Sequence, residues 1–129
     1  FKFYIIINDI FCIIYIKAMI SNWFNNVPCE SGDYWTNTTL NVLKNFKYFL
    51  KPNGIMYFPI ISLSNENKIN NFLRRKKIRS KLISMNEWPI PKNMYKHNSM
   101  LKKLRNSKKI NYENKFGLII ANTKIIKVK

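Results

Sequence analysis

The residues of this chain that could do chemistry lie near its start. Asp9 follows directly after the apolar run Phe3–Asn8, and a carboxylate at the end of a strand can orient or deprotonate an amine or a hydroxyl. The same carboxylate could equally do no more than cap its loop. A second group combines aromatic rings, a thiol and a carboxylate: Trp23, Phe24, Pro28, Cys29 and Glu30. Such a group could hold a planar or cationic molecule, or it could pack as an ordinary lid.

Other reaction classes lack the residues they need. Cys29 is a poor candidate nucleophile, because the only histidine, His97, lies in a basic segment with no orienting carboxylate beside it in sequence. No His/Cys cluster has metal-ligand spacing, so no metal is expected. The three glycines are widely separated, which excludes a glycine-rich phosphate or nucleoside loop within these residues. They are Gly32, Gly54 and Gly117.

A helix, a turn and a strand follow the candidate residues. Apolar residues such as Leu43, Phe46 and Leu50 recur at helical spacing. Pro52 disfavours a helical conformation at the residue before it, and Gly54 supplies a permissive backbone. The pattern therefore predicts an amphipathic helix that ends near Lys51 and a turn back toward a sheet.

Two apolar runs are expected to form strands. Ile55–Ile61 has no polar alternation, which is typical of a strand covered on both faces in a largely parallel sheet. Pro59 is discordant, because proline lacks a ladder donor and prefers an edge or a strand end. Phe3–Asn8 is the second run. Since open α/β sheets bind ligands at the carboxyl ends of their strands, the loops after Asn8 and Ile61 should face a site.

The rest of the chain predicts further helices and strands. A second helix is expected to begin at Ser64 or Glu66 and to turn Ile69, Phe72 and Leu73 toward the sheet. The other predicted segments are a strand at Lys81–Met85, a break at Trp88–Pro91, a helix at Met94–Arg105 and a long final strand at Phe116–Val128.

The helix, turn and strand also carry a family resemblance. The segment LNVLKNFKYFLKPNGIMYFPIISLSN, Leu40–Asn65, resembles the stretch before and through the fifth strand of class I S-adenosylmethionine-dependent methyltransferases. IIINDI (Ile5–Ile10) is similar to the fourth strand of that family, which ends in an acidic residue. SNWFNNVPCESG (Ser21–Gly32) is similar to its substrate-side loop. The relatives have a small Ser-Gly type turn after the acidic residue, whereas this chain has Ile10–Cys12 there.

The resemblance covers nearly the whole chain but only the second half of the family's domain. It implies an α/β fold, the C-terminal half of a Rossmann-like methyltransferase sheet that is mostly parallel with an antiparallel terminal hairpin. Residues 1–129 would form a single partial domain, truncated at its N-terminus and beginning at the fourth-strand equivalent. That strand would then present an unpaired apolar edge, and poor solubility is expected.

The resemblance also implies a function. The reaction would be methyl transfer from S-adenosylmethionine to an unidentified acceptor, with Asp9 as the catalytic residue. The acceptor would contact the second group of residues, Trp23, Phe24, Pro28, Cys29 and Glu30. The glycine-rich loop and the acidic residue that hold the donor in the family have no equivalents here. The chain is therefore expected to bind S-adenosylmethionine weakly or not at all by itself.

Charge points to a second function. The formal net charge is +17, and residues Arg74–Lys109 contain thirteen basic residues against the single acid Glu87, whereas Phe1–Leu50 contains four against three. A basic surface of this kind favours RNA or DNA, with stacking by Trp88, Tyr95 or Tyr112, or docking on RNA or a ribosomal protein. Two alternatives stay open: A/T-rich codon bias could produce the lysines without selection, and the chain could be an inactive remnant.

Cysteine content and hydropathy indicate the compartment. Two cysteines are too few for a disulfide framework, which favours a reducing cytoplasm. The apolar run Phe3–Ile20 is interrupted by Asn8, Asp9 and Lys17, and its uninterrupted part is far shorter than the roughly 20 residues that a membrane helix needs. No membrane partner is expected.

Overall fold

The computed structural model describes residues 1–8 and 36–129. In chain order, the elements are β1 (Phe3–Ile7), α1 (Thr36–Phe49), β2 (Leu50–Ile61), α2 (Glu66–Arg75), β3 (Ser80–Pro89), a 3₁₀ helix (Lys92–His97), α3 (Asn98–Asn106), β4 (Glu113–Lys115) and β5 (Leu118–Val128). Residues 9–35 lie outside this description.

The first helix has the predicted apolar face. Leu40, Leu43 and Phe46 are buried on one side of α1, so the prediction from helical spacing is confirmed. The helix ends at Phe49, two residues before Lys51 and so near the predicted position, because Leu50 already pairs with β1.

The Lys51–Gly54 turn is a bulge inside β2. Phe3 of β1 pairs with Leu50, and regular parallel pairing resumes with Ile5 opposite Ile55. The extra residues of β2 are accommodated between these two pairs as an irregularity of the register. The predicted turn is therefore present, but it interrupts a strand instead of preceding one.

Space, and not backbone conformation, makes glycine necessary at position 54. Asn53 takes the left-handed conformation (φ 64°). A Cβ atom on Gly54 would lie 2.9 Å from the Lys51 carbonyl oxygen and 3.0 Å from a Leu50 side-chain carbon.

The substitution Gly54→Ala is expected to lower the free energy of unfolding by about 1–3 kcal/mol, because the new methyl group overpacks this bulge. Asn53→Gly is the control, since glycine suits a left-handed position and should leave stability equal or slightly higher. Urea unfolding followed by circular dichroism measures both variants. Coincident curves for Gly54→Ala and the wild type would contradict the expectation.

Pro59 lies inside β2 without breaking a described ladder. The Asn8 amide donates to the Tyr57 carbonyl oxygen (2.9 Å), so the backbone groups of Tyr57 face β1. Backbone groups alternate in direction along a strand, and Pro59 therefore faces the same side. The pairing of β1 stops at Ile7, opposite Tyr57, so no described strand needs a donor from Pro59.

The sheet corrects the expected fold class. Its order is β1-β2-β5-β3, with β4 also paired to β5. The β1–β2 pair is parallel, whereas β2–β5, β3–β5 and β4–β5 are antiparallel. The expectation of a mostly parallel, Rossmann-like half sheet is therefore wrong for the described part of the chain. The cause is β5, which enters between β2 and β3 and runs against both strands.

The edge strands also differ in detail from the prediction. β3 spans Ser80–Pro89, so Trp88 and Pro89 continue the strand that was expected to break there. It lies at one edge of the sheet beside β5, but the 3₁₀ helix, α3 and β4 connect the two strands in place of a hairpin. The helix predicted at Met94–Arg105 is divided into the 3₁₀ helix and α3.

Two apolar clusters hold these elements together. The first packs α1 and α2 against β1, β2 and β5, with Phe46, Phe58 and Phe72 among its members. The second lies under α3 and the 3₁₀ helix and contains Ile61 and Leu101. The first cluster holds α1 and α2 against one face of β2. The second cluster covers the carboxyl end of β2 from the opposite face.

The second predicted helix is confirmed as α2, and its buried residues are Ile69, Phe72 and Leu73. Its cap differs from the expectation. The Asn65 side chain accepts a hydrogen bond from the Lys68 amide (3.2 Å), whereas the Ser64 hydroxyl donates to the Ile61 carbonyl oxygen (2.6 Å).

Candidate functional site

The carboxyl ends of β1 and β2 lie at the same edge of the sheet, because the two strands are parallel neighbours. Asn8 is the last described residue of the first segment, and its amide donates to the Tyr57 carbonyl oxygen. Asp9 is the next residue in sequence. All the residues predicted to act in a site, Asp9, Trp23, Phe24, Pro28, Cys29 and Glu30, lie outside the described residues.

A polar cleft of about 340 Å³ lies just beyond the carboxyl end of β2. It is formed by the turn after β2, the first turn of α2, the end of α3 and the segment before β4. Its lining residues are Ser62, Ser64, Glu66, Asn67, Arg105, Lys108, Lys109, Ile110 and Asn111. The turn after Ile61 was predicted to face a site. In the described residues, this turn lines the cleft.

The floor of the cleft is held by backbone and hydroxyl hydrogen bonds. The Ser62 amide donates to the Asn122 carbonyl oxygen (2.8 Å), and the Ser62 hydroxyl accepts from the Asn122 amide (2.9 Å). The Asn111 amide donates to the Ser62 carbonyl oxygen (2.7 Å). Ser62 is 1% exposed, so its hydroxyl joins β2 to β5 and is not presented as a nucleophile.

The wall of the cleft is cationic. The Arg105 guanidinium lies 4.8 Å from the centre of the Tyr112 ring, a cation–π contact that orients it. The Asn67 side-chain amide donates to the Lys108 carbonyl oxygen (3.3 Å), which joins the start of α2 to the end of α3. Glu66 is the one carboxylate of the lining, and its oxygen lies 2.7 Å from the Lys124 Nζ. The lining therefore favours anionic or neutral polar groups over cations.

Every described carboxylate already has a lysine partner. Glu66 pairs with Lys124, and Glu87 and Glu113 both pair with Lys115, at 3.0 and 2.9 Å. The Lys115 ammonium donates hydrogen bonds to the Glu113 and Glu87 carboxylates, and these bonds raise the pKa of Lys115 above its ordinary value. None of these three carboxylates forms an ion pair with the run Arg74–Lys77.

The most closely clustered cations lie at the C-terminal end of α2. Arg74, Arg75, Lys76 and Lys77 are all exposed, and Arg74 donates to the Asn71 side chain at 2.9 Å. They occupy the C-terminal end of the helix, where positive charge also interacts favourably with the helix dipole. Helix stabilisation alone would be sufficient to explain their position.

The aromatic residues proposed for base stacking are packed in the second apolar cluster instead. Trp88 is partly buried, and its ring nitrogen donates to the Thr123 hydroxyl (3.0 Å). The Tyr95 hydroxyl accepts from the Ile119 amide (3.0 Å), and Tyr112 is 2% exposed. Tyr112 is therefore too buried to stack on a base, and the prediction is wrong for that ring. Trp88 and Tyr95 are each partly exposed, and stacking by these two rings stays a prediction.

Sequence reasoning missed the residues that shape the cleft. Ser62 and Asn122 are far apart in sequence and meet only because β5 pairs with β2. Arg105 was visible as one cation in a basic run, but its contact with Tyr112 depends on the fold. His97 is partly buried, and its Nε2 atom has no hydrogen-bond partner in the described residues. For the residues that shape the cleft, the only signal in the sequence was the apolar spacing around Tyr112, which indicates that its ring is buried.

No group of three His, Cys, Asp or Glu side chains within residues 1–8 and 36–129 could hold a metal ion. Of the helices in those ranges, none is long and apolar enough to span a bilayer. Comparisons with protein-family models, with curated proteins and with solved structures found no match for this chain.

Proposed function

We propose that this chain forms the acceptor side of an S-adenosylmethionine-dependent methyltransferase. The sequence support is the resemblance of Leu40–Asn65, with its flanks Ile5–Ile10 and Ser21–Gly32, to that family. The structural support is one observation: β1 and β2 are parallel neighbours, so the segment that continues into Asp9 and the turn that follows Ile61 leave the sheet at the same edge.

The proposed role of each residue follows from its position near the carboxyl ends of β1 and β2. Asp9, next to Asn8, would accept a proton from the acceptor amine or hydroxyl, or would orient it. The residues from Trp23 to Glu30 would enclose the acceptor. Methyl transfer is a displacement that depends on alignment more than on an elaborate set of catalytic groups, so a carboxylate and an enclosing wall are sufficient on this side.

The donor does not fit the described residues. S-adenosylmethionine carries a sulfonium cation, and the cleft beyond β2 is lined by Arg105, Lys108 and Lys109, which repel positive charge. The three glycines of the chain are too far apart to form the loop that holds the donor in the resembled family. Under the proposal, the donor is held by residues outside this sequence.

The isolated 129-residue chain is therefore expected not to bind S-adenosylmethionine at micromolar concentrations. Isothermal titration calorimetry with the donor should give no heat beyond dilution. The matched titration with S-adenosylhomocysteine, which lacks the sulfonium charge, separates charge repulsion from the lack of a site. Micromolar binding of the donor would contradict the assignment of this chain to the acceptor side alone.

The function itself is tested with the complete gene product and tritium-labelled S-adenosylmethionine. Label should move to cellular RNA or protein, which are assayed separately. Asp9→Asn should reduce transfer on the order of 10²–10⁴-fold if the carboxylate takes the proton. Glu113→Gln is the control, because that exposed carboxylate pairs with Lys115 on its own strand. No transfer and no donor binding by the complete product would overturn the proposal and favour an inactive remnant.

Nucleic-acid binding is the second candidate, and the charge distribution favours it. The three glutamates of residues 36–129 are each paired with a lysine. The run Arg74–Lys77 is exposed and pairs with none of them. A polyanion could therefore contact this run without competition from a nearby acid. The two functions are compatible, since an enzyme acting on RNA could dock through these residues.

A further inference from the structure

The polar cleft beyond β2 carries an excess of positive charge. Its lining contains three cations, Arg105, Lys108 and Lys109. The lining carboxylate, Glu66, is offset by Lys124, whose Nζ lies 2.7 Å from it. None of the ion pairs in the described part of the chain involves Arg105 or Lys108. No described carboxylate therefore occupies these two cations, and an anion in the cleft could pair with them.

Contacts at the end of α3 fix the positions of both cations. The Arg105 guanidinium lies 4.8 Å from the centre of the Tyr112 ring. The Lys108 amide donates to the Arg105 carbonyl oxygen (2.9 Å), and the Lys108 carbonyl oxygen accepts from the Asn67 side chain (3.3 Å). These carbonyl oxygens already accept hydrogen bonds, so they are less available to repel an anion. The wall formed by α3 is therefore ordered and cationic.

A second wall of the cleft is the N-terminal end of α2. Ser64, Glu66 and Asn67 contribute to this part of the lining. A helix dipole favours negative charge at its N-terminal end, and the backbone amides of the first turn commonly bind phosphate groups. Cations on one wall and a helix N-terminus on another thus favour the same kind of ligand.

The size and composition of the cleft indicate which anion it holds. Its volume of about 340 Å³ lies at the low end for ligand pockets. No aromatic side chain belongs to the described lining, so a base or another ring would not be held by stacking. A phosphate group presents several acceptor oxygens and up to two negative charges, which can satisfy several cationic donors together. The ligand would therefore be recognised through phosphate and not through a ring.

We propose that this cleft is a phosphate-binding site, with Arg105 and Lys108 as its cationic contacts. The phosphate has two candidate sources: the terminal phosphate of a small molecule and the backbone phosphate of RNA. The site is distinct from the run Arg74–Lys77, which lies at the opposite end of α2. The inference does not depend on methyl transfer.

Two lysines at equivalent helix ends provide a matched pair of variants. Lys108 follows α3 and Lys77 follows α2, and both take the left-handed conformation, with φ of 58° and 52°. Each amide donates to the carbonyl oxygen three residues earlier, that of Arg105 or Arg74. Glycine suits this conformation better than lysine, so Lys108→Gly and Lys77→Gly should both raise the urea midpoint of unfolding. Each variant removes one charge, but of the two lysines only Lys108 lines the cleft.

Isothermal titration calorimetry at low salt, with sodium pyrophosphate as the probe, compares these variants with the wild type. The wild type should bind pyrophosphate, and Lys108→Gly should weaken binding by at least about tenfold, because a charge-assisted hydrogen bond is lost. Lys77→Gly should bind as the wild type does. Uridine 5′-monophosphate and the dinucleotide uridylyl-uridine then distinguish the two sources, since one carries a terminal phosphate and the other an internal one.

Amide chemical shifts locate the bound probe. Pyrophosphate should shift the amide signals of Asn67 and Lys108 more than those of Arg74–Lys77. No binding at millimolar pyrophosphate, equal losses in Lys108→Gly and Lys77→Gly, or shifts confined to Arg74–Lys77 would each overturn the proposal. None of these outcomes would decide whether the complete gene product transfers methyl groups.

Discussion

Replacement of Phe58 by alanine is expected to lower the free energy of unfolding by about 3–5 kcal/mol. Phe58 is 1% exposed and lies on the face of β2 that α1 and α2 cover. Truncation of a buried phenylalanine to alanine removes apolar contacts and leaves a cavity, at a cost of about 3–5 kcal/mol. A small domain has a total stability of only about 5–15 kcal/mol, so the loss is a large part of the whole.

The control for this variant is Phe116→Ala, which makes the same chemical change at a fully exposed position before β5. Its effect on stability should be within about 0.5 kcal/mol. Urea unfolding followed by far-ultraviolet circular dichroism compares the two. Equal midpoints for both variants would show that the first apolar cluster does not stabilise the fold.

The elements nearest to Phe58 were the most predictable from sequence. Leu43 and Phe46 recur at helical spacing on α1, and Ile69, Phe72 and Leu73 do so on α2, because each helix buries one stripe against the same strand. Such a pattern is local, so it can be recognised without knowledge of the rest of the fold. The apolar run that became β2 was recognised for the same reason.

Strand direction could not be predicted in this way. An unbroken apolar run such as Ile55–Ile61 predicts burial on two faces, and here the first apolar cluster buries one face while the second covers the other only at Ile61. It does not report whether a neighbouring strand runs with it or against it. β5 pairs with β2 from the far end of the sequence, and no local pattern in Leu118–Val128 specifies that position.

The candidate site shows the same division between local and long-range information. The sequence directed attention to the loops after β1 and β2, and the cleft does lie beyond β2. Its floor depends on Ser62 and Asn122, which pair only through the sheet. Tyr112 looked available for stacking, but its ring is buried in the second apolar cluster, where residues distant in sequence cover it.

Neutralising the run Arg74, Arg75, Lys76 and Lys77 to glutamine is expected to weaken binding to single-stranded RNA on the order of 10²–10³-fold at 0.1 M salt. Each phosphate contact with a single strand contributes about 0.7 to the slope of log K against log salt, so losing four contacts should lower the slope by roughly 3. Fluorescence anisotropy with labelled RNA at several salt concentrations measures both quantities.

A matched variant separates a docking surface from simple net charge. Lys2, Lys44, Lys47 and Lys51 lie on the β1 and α1 side of the molecule, and their replacement by glutamine removes the same total charge. If the Arg74–Lys77 run binds RNA, the matched variant should keep most of the affinity and nearly the full slope. Circular dichroism checks that α2 keeps its C-terminal turn, because these cations also stabilise that end of the helix. Equal losses in the two variants would mean that the charge acts without a defined site, as codon bias alone predicts.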